Sequence, residues 1–108
     1  MKIILSGKNI KLDEPLKVFV EERIGGLSKF IDGDAVEARV EIGLPSKHHR
    51  SGKIYYAEVN LKIGGKLLRA TCQHEDLRNA IVDAKNELQR EIKKFKDKKK
   101  DLSRISKK

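Results

Sequence analysis

The 108-residue sequence contains no tryptophan, two tyrosines and three phenylalanines. It has one cysteine, Cys72, which excludes an internal disulfide framework and any multi-cysteine metal site. No apolar run approaches the ~20 residues that a membrane-spanning helix needs, so an integral helical membrane protein is excluded. The short apolar stretch Met1–Leu5 is followed by Ser6-Gly7-Lys8-Asn9, which does not read as a signal peptide, and the expected location is cytoplasmic. There is no Gly-rich phosphate loop ending in Lys-Ser or Lys-Thr and no nucleophile elbow. The sequence therefore offers no residue for catalysis and no site for a cofactor or a small-molecule substrate, and the reading is that it is not an enzyme.

What the chain has in excess is positive charge. Twenty-five Lys and Arg stand against sixteen Asp and Glu, a formal charge of +9. Such an excess points to a polyanion: RNA, DNA or an anionic lipid surface. The excess is unevenly placed. From Lys93 to Lys108 there are nine basic and two acidic residues, a net of +7, whereas residues 1–92 carry about +2. Residues 1–98 read as one folded unit, and residues 99–108 as a basic tail expected to be partly disordered. Solubility alone would be a sufficient role for that tail.

The hydrophobic pattern predicts a β-α-β-β-β-α order. Lys2–Ser6 reads as a strand and Gly7-Lys8-Asn9 as a turn. A helix is expected from about Asp13 to Phe30, with Asp13 and Glu14 at its positive end, Pro15 in its first turn, and Leu16, Val20, Ile24, Leu27 and Ile31 on one face. Gly25-Gly26 predicts a kink or an early end. In Ala35–Leu44, apolar Val36, Ala38, Val40, Ile42 and Leu44 alternate with polar residues and glycine, which is the pattern of a strand with one buried face. Ile54–Ile63 and Lys66–Cys72 form a predicted hairpin about Gly64-Gly65, with Cys72 inward. The last helix is expected from about Glu75 to Lys98, with Leu77, Ile81, Ala84, Leu88, Ile92 and Phe95 as its apolar stripe. The fold class is α+β: a four-stranded sheet with two helices packed on one face.

The open sheet face would then hold Glu37, Arg39, Glu41, Tyr56, Glu58, Asn60, Lys62 and Arg69. With one aromatic it lacks the platform on which sheet domains stack bases, and its carboxylates lie on a surface rather than in a cleft. The last helix is more informative. At about 100° per residue, one flank of its apolar stripe carries Arg78, Lys85, Gln89, Lys93, Lys96 and Lys100, and the other begins with Asp76, Asp83, Glu87 and Glu91. Sorting of charge by side suits a face that docks phosphates; a chance bias in a lysine-rich helix is the plainer alternative. Lys47-His48-His49-Arg50, in the loop between two strands, could add phosphate contacts or be an ordinary exposed turn. Metal binding by His48, His49, His74 and Cys72 is disfavoured. Adjacent histidines serve one ion poorly, Cys72 reads as a small buried hydrophobe, and His74 reads as a hydrogen-bonding residue before the last helix.

Several strings, in this order, resemble the ribosome hibernation promoting factors and ribosome-associated inhibitors, a family also labelled sigma-54 modulation proteins. They are Ser6-Gly7-Lys8-Asn9-Ile10; Leu16 to Phe30 with Val20, Glu21, Arg23, Leu27 and Lys29; Ala57-Glu58-Val59-Asn60-Leu61; Leu68-Arg69-Ala70; and His74-Glu75-Asp76-Leu77 followed by Ala80-Ile81, Leu88, Arg90 and Lys94. The resemblance covers roughly residues 1–98 and implies a double-stranded-RNA-binding-like topology. It implies a non-catalytic protein, a monomer when free, that sits in the decoding channel of the small ribosomal subunit on 16S rRNA. There it would compete with mRNA, tRNA and initiation factors, blocking the A and P sites. By position, Arg23, Lys29, Arg90 and Lys94 would contact rRNA. The charge-sorting argument adds Lys85 and Lys93, with Lys47, Arg50, Arg78 and Lys96 as further candidates. Arg78 and Glu87 stand where the family usually has an aromatic and a lysine. Long members carry a further dimerisation domain, so the chain resembles the short form. The acidic start of the last helix, Glu75-Asp76, disfavours a general duplex binder. The alternative is a regulatory protein-interaction module of the sigma-factor-modulation type, without direct rRNA contact.

Overall fold

A computed structural model of the chain describes residues 1–31, 37–45 and 54–106, with side chains as far as Lys98. The elements run β1 (Lys2–Lys8), α1 (Glu14–Gly25) continued by a 3₁₀ turn (Gly26–Phe30), β2 (Glu37–Gly43), β3 (Tyr55–Ile63), β4 (Lys66–His74) and α2 (Leu77–Ser106). The α+β class and the β-α-β-β-β-α order are those expected. The sheet order is β1-β2-β3-β4. β1 runs parallel to β2, and the other two pairs are antiparallel. This follows from the connections. β3 and β4 are joined by the two-residue turn Gly64-Gly65, which suits an antiparallel hairpin, with Gly64 at φ +58. β1 and β2 are joined through a helix, which suits a parallel pair.

The alternation in each strand sends one set of side chains into the core. Val40, Ala57, Val59 and Leu61 are fully or almost fully buried, and they meet Val20, Ile24 and Leu27 from the first helical segment and Ile81, Leu88 and Ile92 from α2. Both helices therefore lie on one face of the sheet, and no polar or charged residue is buried among the described residues. The other sheet face is mostly polar and faces solvent, with Ile4 and Leu67 among its exposed residues.

Local chemistry explains where the elements begin and end. The Asp13 side chain accepts a hydrogen bond from the Leu16 N–H at 2.9 Å and caps α1. Gly25-Gly26 ends the α-helix, as expected, but the chain tightens into a 3₁₀ turn rather than leaving the helical path. Several boundaries differ from expectation; β3 starts at Tyr55, β4 runs on to His74, and β1 differs most. Gly7 and Lys8 belong to β1, not to a turn, because parallel pairing with β2 continues to Lys8 opposite Gly43. The turn starts at Asn9, at φ +58, whose Nδ2 donates to the Leu44 carbonyl at 2.9 Å. Gly43 itself has φ +152, and a Cβ there would fall on the Lys8 carbonyl oxygen. The end of the parallel pair thus requires glycine.

α2 starts at Leu77, after Glu75 and Asp76, and runs beyond Lys98 to Ser106. Asp76 stands before the helix as its cap. Its Oδ1 accepts from the N–H groups of Arg78 at 2.9 Å and Asn79 at 3.2 Å. His74 fulfils the expected hydrogen-bonding role, with Nδ1 accepting from the Asp76 N–H at 2.9 Å. Cys72 is half-buried against the core, and burial pushes its thiol pKa up, reinforced by the nearby charges of Glu87 and Asp83.

Candidate nucleic-acid interface

The basic residues of the helical layer fall into three groups, and each owes its place to a different element.

The first group surrounds Phe19, which lies half-buried on α1. Arg23, one turn along the same helix, places its guanidinium carbon 4.9 Å from the ring centroid. Arg78, on the first turn of α2, places its own at 5.0 Å from the same centroid. Both distances are within cation–π range. Two cations from different helices are thereby held near one ring. The ring offers each a weak attraction but no countercharge, and both heads remain exposed. Phe19 carries no charge and is not marked by the charge pattern. Its spacing of four residues from Arg23 is the one local sign of the contact; the approach of Arg78 has none.

The second group lies where α2 passes the 3₁₀ turn. Lys29 Nζ stands 5.2 Å from the Phe30 ring centroid. Lys96 Nζ donates to the Phe30 carbonyl at 3.1 Å and ties α2 to that turn. Lys93 is exposed beside them, lining a groove of about 490 Å³ with Phe30, Ile92, Gln89 and Lys96. Lys85 lies two turns back on the same flank of α2, half-buried. This flank is the one that the periodicity marks as basic, and it borders the first helical segment.

The third group is Arg90 and Lys94, beside the acidic side of α2, with Arg90 also at the rim of the groove. Arg90 stands 4.0 Å from Glu87 and Lys94 3.5 Å from Glu91, each pair three residues apart. Their charge is largely balanced in place, in exposed pairs that are individually weak. Lys47 and Arg50 lie outside the described residues, as do His48 and His49. Among the described residues no group of three or more His, Cys, Asp or Glu is placed to hold a metal ion.

The open sheet face is chemically different. Glu41 and Glu58 are directly opposite each other in the β2–β3 register, a like-charge pair that would repel. The face is arranged around that repulsion. The Tyr56 hydroxyl donates to Glu41. Glu58 accepts from Asn60 Nδ2 at 3.1 Å and stands 3.6 Å from Arg69. Arg69 Nε donates to Asn60 Oδ1 at 2.8 Å. Tyr56 lies on this face as expected but is only 9% exposed, so it offers no ring for stacking. Burial, the bond to Glu41 and the charges of Glu41 and Glu58 push its hydroxyl pKa up to about 12. The carboxylates of this face are thus occupied with one another's neighbours. Arg39 and Arg69 on this face stand beside carboxylates, whereas Arg23, Arg78 and Lys93 are exposed on the helical side.

Among the described residues no helix is long and apolar enough to cross a membrane.

The chain is similar to known proteins in both sequence and fold. Residues 3–100 match the family described as sigma 54 modulation protein / S30EA ribosomal protein. The chain is 35% identical over 98 residues to the ribosome hibernation promotion factor of Bacillus subtilis, covering 91% of this chain and 50% of that protein. It is 33% identical over 94 residues to the protein of the same name from Deinococcus radiodurans, covering 85% of this chain and 47% of the other. The chain thus spans about half the length of the curated relatives it matches. In structure it resembles the Protein Y N-terminal domain of Thermus thermophilus, with a TM-score of 0.76 and 29% identity over 88% of this chain and 99% of that one.

Proposed function

Since the chain belongs to the sigma 54 modulation protein / S30EA ribosomal protein family, we propose that it is a ribosome hibernation factor. It binds the small ribosomal subunit in the decoding channel, on 16S rRNA, and excludes mRNA, tRNA and initiation factors from the A and P sites by occupying the space. No bond is made or broken; inhibition is steric, and the protein is not an enzyme.

The observation that carries this reading is the family match across residues 3–100, with relatives named ribosome hibernation promotion factor. The geometry supplies a physical means. Phosphate contacts need exposed cations carried on a rigid support. The helical side provides Arg23 and Arg78 around Phe19, then Lys85, Lys93 and Lys96 along α2, with Lys29 on the adjoining turn. These residues lie on two helical segments fixed to one sheet, so the spacing between the phosphates they meet is set by the fold. Arg90 and Lys94 belong to the proposed site as well, but in a lesser role, because Glu87 and Glu91 accompany them.

Sedimentation with purified small subunits at low and high salt tests the reading. Co-sedimentation is expected at low salt and should weaken as salt rises, because phosphate contacts release counterions. Absence of co-sedimentation at low salt overturns it. Retention of a sigma factor rather than ribosomal components in a ribonuclease-treated pull-down would favour the regulatory protein-interaction reading instead.

A further inference from the structure

The groove beside the 3₁₀ turn has a volume of about 490 Å³, within the range of about 300–1,000 Å³ usual for ligand sites. Its lining is of three chemical kinds. Half-buried Phe30 supplies the apolar wall, with the core residue Ile92 behind it, and Asn86 and Gln89 supply carboxamides. Arg90, Lys93 and Lys96 are its basic residues and Asp97 its carboxylate; Arg90 stands 4.0 Å from Glu87 and Lys96 bonds the Phe30 carbonyl, which makes Lys93 the principal cation of the groove.

A surface that only attracts a phosphate backbone needs the cations and little else. A surface that takes an unstacked nucleotide needs more. It needs an aromatic or apolar wall for the base, groups that can both donate and accept at the base edge, and cations for the phosphate. A carboxamide is the side chain that offers donor and acceptor together. All three requirements are met in this one groove. The wall is also held in position, since the Lys96 bond to the Phe30 carbonyl joins the turn to α2.

We propose that this groove binds one nucleotide, with its base against Phe30, its base edge on Asn86 and Gln89, and its phosphate on Lys93. The proposal rests on the RNA-binding reading above and names the part of the RNA taken: an extruded, unpaired nucleotide rather than duplex backbone. A free nucleotide carries the same base and phosphate, and the experiment separates the two sources.

The test is an NMR titration of the full chain, following the side-chain amides of Asn86 and Gln89 and the Phe30 ring. The probes are a single-stranded hexaribonucleotide, adenosine 5′-monophosphate and ribose 5-phosphate. The hexaribonucleotide is expected to shift these groove signals and saturate, with ribose 5-phosphate at least tenfold weaker. Gln89→Ala and Phe30→Leu should each weaken strand binding about fivefold or more, as loss of a base contact does. Gln89→Ala sits on the outside of a helix and keeps the comparison valid if Phe30→Leu unfolds. Tighter binding of the strand than of the monophosphate assigns the groove to RNA; equal binding assigns it to a free nucleotide, and both retain the site. Equal binding of ribose 5-phosphate, or no groove shift with any probe, overturns it. If the wild type sediments with small subunits and Gln89→Ala shows no change in the titration, the groove proposal fails and the family reading stands. If the wild type does not sediment, the family reading fails while the titration still judges the groove.

Discussion

Neutralising the basic residues of α2 in pairs should separate those that hold RNA from those that are balanced locally. The informative comparison is Lys85→Gln with Lys93→Gln against Arg90→Gln with Lys94→Gln. Each pair removes two positive charges from the same helix, so a diffuse attraction would respond equally to both. The structure predicts inequality. Lys85 and Lys93 lie on the flank bordering the first helical segment, whereas Arg90 and Lys94 stand 4.0 and 3.5 Å from Glu87 and Glu91. A phosphate approaching Arg90 or Lys94 also approaches a carboxylate, so part of the attraction is cancelled by repulsion of similar range. Each phosphate contact contributes about 0.7 to 0.9 to the slope of log K against log salt. Losing Lys85 and Lys93 should therefore flatten that slope by about 1.4 to 1.8, and losing Arg90 and Lys94 by less than half as much. The assay is small-subunit binding by fluorescence anisotropy across a salt series, with thermal unfolding to establish that both variants remain folded. Equal flattening by both pairs, or a larger effect from Arg90 and Lys94, would refute the assignment of the inner flank as the principal contact.

Other consequences concern the fold. Tyr56 has its pKa raised to about 12 in the folded protein, above the ordinary value near 10. Its contribution to stability is fully present below about pH 10 and is lost as pH rises towards 12, because the unfolded chain gives up the proton first. Urea unfolding at several pH values should show Tyr56→Phe losing less stability than the wild type over that interval; parallel curves would refute a raised hydroxyl pKa in the folded protein. Gly43→Ala should destabilise by at least about 1–3 kcal/mol, the usual cost of an ill-suited backbone conformation, because a Cβ also meets the Lys8 carbonyl. An unchanged thermal midpoint would show that the end of the β1–β2 pair can open without cost. Leu88 is fully buried between α2 and the sheet, and Leu88→Ala should cost about 2–5 kcal/mol, read by denaturant titration.

Much of the architecture was legible because its signals are local. Alternation in β2 and β3 and the stripe Leu77-Ile81-Ala84-Leu88-Ile92 each report which side of one element faces the core. The charge sorting on α2 is likewise a property of one helix and its 100° step. The pairing of Arg90 with Glu87 and of Lys94 with Glu91 also follows from helical spacing. Gly7 and Lys8 were less legible. Glycine followed by polar residues reads as a turn, and only the parallel partner strand holds that stretch extended. α2 runs on past Lys98 to Ser106 in a lysine-rich stretch, and lysine is a good helix former.

The sequence by itself determined the order of elements, the buried face of each, and the sign and side of the charge on α2, since each depends on residues a few positions apart. Tertiary structure decided which charges share a space. Arg23 and Arg78 are 55 positions apart and meet on Phe19. Lys96 reaches the backbone of Phe30, and two carboxamides, an isoleucine and a phenylalanine come together with cations in one groove. The periodicity of α2 marks Ile92 and Gln89 by their sides of the helix, but not their meeting with Phe30. They become a candidate site only when the packing of two helical segments on one sheet closes the distance between them.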